Sequence, residues 1–166
     1  MIKQLLISLA AVSLLGSCAV TQPVVEAPPA AAPIVDVPPQ APASPTVIEW
    51  RRARDFGAAI QEAKEQGKGV MVLVTATWCG PCKKLKANVL TNPKFAAALA
   101  NDLIFVKVEL TDHSPKGENL RLMRRFQANS FPTYVIIDKE LKVVLKRTGS
   151  SGSVDAHIQA IKAVLN

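Results

Sequence analysis

Hydrophobic positions in residues 47–166 follow two periods, which together predict alternating strands and helices. Apolar spacing and boundary residues predict helices over 55–66, 79–89, 94–99 and 116–128, and a last helix that begins after Ser153. Apolar or alternating runs predict strands over 70–76, 103–110, 133–137 and 141–147. A polar turn joins the last two strands, which favours antiparallel pairing. This order predicts an α/β fold with a central mixed β-sheet flanked by helices. In the fourth helix, the side chains expected to face the core are Leu120, Met123 and Phe126.

Residues 1–17 have the pattern of a secretory signal peptide. Lys3 supplies one positive charge, and the apolar stretch that follows is too short to span a membrane comfortably. The stretch ends in Leu-Gly-Ser-Cys at Cys18, which resembles the lipobox of bacterial lipoproteins. The resemblance implies cleavage before Cys18 and a lipid on its sulfur; the alternative is an ordinary signal peptide that happens to contain a cysteine. Ala19 stands where lipoproteins of the inner membrane carry aspartate, so the resemblance points to the outer membrane.

Residues 18–46 are rich in Pro, Ala and Val and contain two charged side chains, Glu26 and Asp36. Such a composition cannot bury a core, which predicts an extended tether. At about 3.1 Å per residue in polyproline II geometry, the tether would reach about 85 Å. The segment is either a flexible connection that lets the domain search for partners near a membrane or a passive spacer. The remaining residues, 47–166, are enough for one domain with its own hydrophobic core.

The charge of the chain and its aromatic residues bear on the class of partner. The net charge is +7, and because Lys3 and the two tether acids lie outside residues 47–166, the domain itself carries +8. Such a charge would suit acidic partners or anionic lipid, but the charged residues are dispersed over predicted helix faces and strand ends, which is more typical of a solvated surface. The chain contains only eight aromatic residues, and none of them alternate with a basic stripe. We therefore expect no nucleic-acid partner.

Two cysteines three residues apart follow the predicted strand over 70–76, in the sequence Trp78, Cys79, Gly80, Pro81, Cys82. Cys79 is expected at a helix N-terminus, where unpaired N–H groups and the helix dipole favour the thiolate. Cys82 follows one turn later, close enough to resolve a mixed disulfide on Cys79. Pro81 suits the first turn because its missing N–H would have had no helical partner. The pattern predicts a redox-active dithiol.

The cysteine pair has two alternative interpretations, a zinc site and a purely structural disulfide. A zinc site needs two further ligands, and His113 and His157 stand alone without ligand spacing, so we expect no metal. A purely structural disulfide would close too short a loop to remove much chain entropy. A dithiol carries its own two electrons, so no organic cofactor is expected either. Outside the cytosol, however, thiols are not kept reduced by the glutathione and thioredoxin pools, so an exported dithiol needs a dedicated redox partner.

The order of elements and these residues resemble the thioredoxin fold over nearly all of residues 47–166. Phe131 and Pro132 match the cis-proline loop of that family, which the resemblance places opposite the dithiol, where it binds substrate peptide. Gly149 matches the glycine that closes the substrate groove, and Trp78 the tryptophan that packs beside the site. The resemblance implies catalytic roles for Cys79 and Cys82, with Gly80 and Pro81 tuning the helix start.

The stretches 62–68 and 89–95 resemble more closely the C-terminal periplasmic domain of the bacterial transmembrane disulfide reductase and related exported proteins. Two departures matter. Leu73 replaces a buried aspartate that serves as proton acceptor for the second thiol, and Lys86 replaces an acidic residue of the reductase domain. Lys107 matches the lysine that pairs with the missing aspartate. Without either carboxylate, deprotonation of Cys82 is expected to rely on water.

The sequence therefore predicts a periplasmic, lipid-anchored thiol–disulfide oxidoreductase. The Gly-Pro dipeptide favours the reducing direction by resemblance, with envelope proteins as substrates and a membrane thiol transporter as electron donor. An oxidase or isomerase would differ in reduction potential, which spans about 150 mV across such proteins. The non-enzymatic alternative is a tethered module that binds a client protein or Cu(I), since thiolates favour Cu(I).

Overall fold

The computed structural model describes residues 47–166, which form five strands and five α-helices. In chain order these are β1 (Trp50–Arg52), α1 (Phe56–Gln66), β2 (Gly69–Ala76), α2 (Gly80–Leu85), α3 (Pro93–Leu99), β3 (Leu103–Leu110), α4 (Gly117–Arg125), β4 (Thr133–Ile137), β5 (Val143–Thr148) and α5 (Val154–Leu165). A 3₁₀ turn over Ala53–Asp55 precedes α1, and a π-helical turn over Lys86–Leu90 extends α2.

The strands form one mixed sheet in the order β1-β3-β2-β4-β5. β1 and β2 both pair parallel with β3, whereas β4 pairs antiparallel with β2 and with β5. All eight residues of β2, the central strand, are buried. The register places Leu73 of β2 between Lys107 of β3 and Tyr134 of β4. The predicted mixed sheet and the antiparallel final hairpin are confirmed.

Hydrophobic side chains on the two faces of the sheet form two core clusters. On one face, β2 contributes Met71 and Leu73 to a cluster with residues of α2, α3 and α5. On the other face, Val70, Val72 and Val74 pack with residues of α1 and α4. The sheet is therefore covered by helices on both sides, which explains why β2 is a continuous apolar run.

Four points of the sequence prediction need correction. β1 was not predicted, because a three-residue edge strand with two arginines shows no apolar alternation. α4 ends at Arg125, since Gln127 adopts a left-handed conformation (φ 50°) that ends the helix before Ala128. In α4 the fully buried apolar side chain is Leu122, whereas Leu120 and Met123 are half-buried. β5 begins at Val143, not at 141, because Leu141 belongs to the turn and has φ 63°.

Gly69 allows β2 to lie against the end of β4. A Cβ atom at this position would lie 2.5 Å from the carbonyl oxygen of Ile137 and 3.0 Å from Leu103. Because the nearest atom belongs to the backbone of a paired strand, it cannot move aside without disturbing the sheet. Gly57 in α1 has no heavy atom within 4 Å of its corresponding position.

We expect Gly69→Ala to lower the free energy of unfolding by about 2–3 kcal/mol, since it overpacks a site bounded by backbone. Gly57→Ala is the matched control, and it should stabilise the domain by up to about 1 kcal/mol because alanine favours the helix. Urea denaturation of both variants measures the difference. Equal stabilities for the two variants would contradict the close approach at Gly69.

His157 of α5 is a buried titratable side chain away from the cysteines. It is 1% exposed, and its Nδ1 lies 3.0 Å from the hydroxyl oxygen of Tyr134 in β4. Burial, and then the positive charge of Arg147, lower the pKa of His157 from its ordinary value of 6.5. The folded protein therefore binds a proton at this site less readily than the unfolded chain does.

Stability is expected to fall as the pH drops below about 6.5, because the unfolded chain then takes up a proton that the folded state resists. The loss continues down to the lowered pKa of His157 and then levels off for this group. His157→Gln should reduce the slope of unfolding free energy against pH between pH 7 and 5, measured by urea denaturation. An unchanged slope would show that His157 does not cause the effect.

Candidate redox site

A disulfide joins Cys79 and Cys82 where β2 passes into α2, with 5.3 Å between their Cα atoms. Cys79 is the N-cap of the helix, in an extended conformation, and its Sγ accepts a hydrogen bond from the backbone N–H of Cys82 at 3.2 Å. Gly80 begins the helix and Pro81 lies in its first turn, as expected. The helix start therefore directs a donor at the sulfur of Cys79, which would stabilise a thiolate there.

The disulfide is mostly covered by apolar side chains at the C-terminal ends of β2 and β3. Cys79 and Cys82 are 6% and 5% exposed, and they form a small cluster with Ala76 and Leu110, the last residues of β2 and β3. Half-buried Met123 and Phe131 pack against this cluster. The fold thus brings the ends of two parallel strands, one helix and the loop before β4 to the same point.

The loop before β4 contains the predicted cis peptide bond, between Phe131 and Pro132. The carbonyl oxygen of Pro132 accepts a hydrogen bond of 2.8 Å from the N–H of Gly149. Gly149 has φ 95°, a conformation that favours glycine and that directs its N–H at the loop. The two positions that the sequence analysis assigned to a substrate groove are therefore joined by a backbone hydrogen bond.

Two threonines anchor the same loop, the buried Thr133 and the exposed Thr148, and neither was singled out from the sequence. Thr133, which is 1% exposed, donates its hydroxyl to the carbonyl oxygen of Ser130 at 2.7 Å. Its Oγ1 also lies 2.9 Å from Oγ1 of Thr148, the residue opposite it on β5. Thr133 directly follows the Phe-Pro pair, but only the pairing of β4 with β5 shows its partner.

The indole of Trp78 lies between two loops beside the disulfide. Its ring meets the ring of Phe131 edge-on, with centroids 5.7 Å apart and an angle of 82°. The imidazole of His113, in the loop between β3 and α4, stacks on it at 4.3 Å and 14°. Sequence analysis treated His113 only as an isolated residue, because nothing in the sequence indicates that its loop reaches Trp78.

A cleft of about 120 Å³ opens on the α2 face of the sheet and is bordered by Leu73, Thr75, Lys86 and Lys107, among others. Lys107 lies beside Leu73 in the sheet and forms an ion pair with Glu109, 3.1 Å between Nζ and Oε2. Glu109 was not singled out from the sequence, and the two positions at which a family carboxylate is missing are Leu73 and Lys86. The spacing of Lys107 and Glu109, two residues apart on one strand face, was the available signal.

Within residues 47–166, no group of three or more His, Cys, Asp or Glu side chains is arranged to hold a metal ion. No helix in that part of the chain is long and apolar enough to cross a bilayer. Cys18, Ala19, the signal region 1–17 and the tether 18–46 lie outside the described residues.

A mixed sheet covered by helices, with a Cys-Gly-Pro-Cys disulfide at a helix start opposite a cis-proline loop, defines a dithiol protein of the thioredoxin fold. The sequence matches the family model described as Thioredoxin-like over residues 49–139, so the chain belongs to the Thioredoxin-like family.

Comparison with individual proteins agrees with this assignment. The chain is 30% identical over 105 residues to the thioredoxin-related protein DsbJ of Chlamydia pneumoniae, covering 60% of this chain and 30% of that protein. It therefore spans less than a third of the length of this relative. Among solved structures, a DsbH oxidoreductase superposes with a TM-score of 0.64 at 22% identity, over 78% of this chain and 92% of that one. The C-terminal domain of Neisseria meningitidis DsbD, oxidised form, superposes with a TM-score of 0.55 at 21% identity, over 68% and 94%. These superpositions confirm the predicted fold.

Thr133→Val is expected to lower the free energy of unfolding by about 1–2 kcal/mol, because it removes the hydroxyl between Ser130 and Thr148. A double-mutant cycle with Thr148→Val, followed by urea denaturation, isolates the contact between the two hydroxyls. The double variant should lose less than the sum of the single variants. Strict additivity would show that the hydroxyls do not interact.

Proposed function

We propose that this protein is an exported thiol–disulfide oxidoreductase that reduces disulfides in proteins of the cell envelope. The observation that carries the proposal is the Cys79–Cys82 disulfide at the start of α2, beside the Phe131–Pro132 loop, in a chain of the Thioredoxin-like family. A disulfide that closes only a three-residue separation contributes little to stability, so its position at a helix N-terminus supports a reactive role.

The reaction begins from the reduced dithiol, and Cys79 is the nucleophile. Its thiolate attacks one sulfur of the client disulfide, so that a mixed disulfide forms while the other client sulfur leaves as a thiolate and takes up a proton. Cys82 then loses its proton to solvent and attacks Cys79, which releases the second client thiol. The client gains two electrons and two protons, and the protein becomes the Cys79–Cys82 disulfide of the structure.

The hydrogen bond from the N–H of Cys82 to Sγ of Cys79 supports this division of roles. A backbone donor directed at a sulfur stabilises its thiolate more than its thiol, and only Cys79 has the N-cap position. Cys82 lies inside the first turn and is the resolving residue. Gly80 and Pro81 leave the helix start open, since a Cβ at Gly80 would meet nothing within 4 Å.

The surrounding residues have supporting roles in this proposal. Phe131 and Pro132 border the client, and Gly149 holds their loop through its hydrogen bond to Pro132. Trp78 presents its indole beside the disulfide. Lys107, with its partner Glu109, provides a charged pair in the cleft on the α2 face, where the aspartate of the family would have been.

Continuous reduction outside the cytosol requires an electron source, because no glutathione or thioredoxin pool supplies one there. We propose a membrane thiol transporter as donor. Cleavage before Cys18 and lipidation of its sulfur would anchor the protein, with Ala19 favouring the outer membrane, and residues 19–46 would tether the domain within the periplasm. Oxidase or isomerase activity is the nearest alternative, and the reduction potential measured against glutathione decides among them.

Cys82→Ser should trap clients as mixed disulfides on Cys79, because the resolving thiol is absent. The mixed disulfides should appear on non-reducing gels of envelope extracts and disappear with dithiothreitol. The double variant Cys79→Ser, Cys82→Ser is the control and should trap nothing. If the single variant traps no more than the double variant, the enzymatic proposal is wrong.

Insulin reduction by the purified wild type, together with metal analysis of the same sample, distinguishes an enzyme from a metal-binding module. Turnover by metal-free protein supports the enzyme. Stoichiometric copper without turnover would favour the binding module.

A further inference from the structure

The indole of Trp78 is held from two sides by loops that are far apart in the sequence. His113, from the loop between β3 and α4, covers one face of the indole in a nearly parallel stack at 4.3 Å. Phe131, from the loop before β4, meets it edge-on at 5.7 Å. Both arrangements are favourable for aromatic rings, and together they fix the direction of the indole plane.

Trp78 nevertheless keeps a large exposed surface at this point. It is 42% exposed, and the other large apolar side chains of residues 47–166 that are similarly exposed, Val47, Leu141 and Val143, lie elsewhere in the chain and are aliphatic. The indole thus presents an aromatic surface that is backed by two other rings and still open to solvent. It is typical of a residue that contacts a partner.

The low exposure of the two cysteines indicates that the partner at Trp78 is the client polypeptide itself. Because Cys79 and Cys82 are only 6% and 5% exposed, a client disulfide reaches Cys79 only if the client chain lies closely over the surface around it. Trp78 immediately precedes Cys79, so residues that flank the half-cystine of an extended client segment come to lie against the indole. An apolar flanking side chain would bury surface on Trp78, whereas glycine would not.

The loop that carries His113 has a defined backbone beside that residue. The carboxylate of Asp112 accepts a hydrogen bond from the N–H of Ser114 at 2.8 Å, which fixes the chain on both sides of His113. His113 itself is exposed and takes no part in the core. Its aromatic contact in the structure is therefore with Trp78, and its ring is held where it can support the indole.

We propose that His113 is a positioning residue for client binding, and that its ring holds Trp78 as a platform for an apolar side chain next to the half-cystine of an extended polypeptide client. The inference rests on the proposed function, because it concerns the client of the same dithiol. It adds His113 to the site and a preference in the client sequence. The exchange reaction itself is unchanged, and His113 does not touch the reacting sulfurs.

The test compares two peptide disulfides that differ only in the residue beside each half-cystine, phenylalanine in one and glycine in the other. With the pre-reduced wild type, KM should be about three- to tenfold lower for the phenylalanine peptide. His113→Ala should reduce this preference at least threefold, through KM and not through kcat. His113→Phe keeps a flat ring and should restore the preference, and Ser114→Ala is the control in the same loop.

A second measurement follows the platform directly. In a Trp50→Phe background, Trp78 is the remaining tryptophan, and its quenching by acrylamide should increase in His113→Ala and return toward the parent value in His113→Phe. A wild-type preference retained by His113→Ala would overturn the proposal. So would a His113→Phe variant as impaired as His113→Ala, since an imidazole nitrogen and not the ring stack would then be required. Failure of the proposed function is distinct, because the wild type would then reduce neither peptide.

Discussion

The burial of β2 on both faces and its pairing on both edges is the constraint on which the rest of the structure depends. Its eight residues pair with β3 on one side, and five of them pair with β4 on the other. Because both neighbours fix its register, the sheet sets the position at which β2 ends. Cys79 follows three residues later as the N-cap of α2, which contains Cys82. The precision of the dithiol thus comes from an apolar strand that contains no catalytic residue.

The site is assembled largely from backbone groups, with few polar side chains near the sulfurs. An N–H of the helix start faces Sγ of Cys79, and another N–H, from Gly149, holds the carbonyl of Pro132. Backbone donors keep the same charge at every pH, so this arrangement does not vary with protonation. The charged groups, Lys107 and Glu109, lie in a separate cleft and neutralise one another.

Features that depend on residues close together in the chain could be predicted from the sequence. The dithiol, the helix that carries it and strands β2, β3 and β4 follow from apolar runs and from residue spacing, and the cis-proline loop followed from family resemblance. The features that were missed depend on contacts between distant segments. β1 has almost no pattern of its own, and its place is set by pairing with β3. Thr133 contacts Thr148, and His113 stacks on Trp78. Neither contact produces a hydrophobic period or a motif that the sequence would show.

The two outer strands of the sheet determine how another polypeptide can approach it. β1 is only three residues long and carries two arginines, whereas β5 carries Lys146 and Arg147, whose side chains bond to backbone carbonyls of Gln127 and Ser151. Short or charged edge strands discourage the addition of a further strand. Both outer strands of the described domain thereby resist sheet-to-sheet aggregation. A client of the proposed reaction would then approach at the ends of β2 and β3, where the cysteines lie.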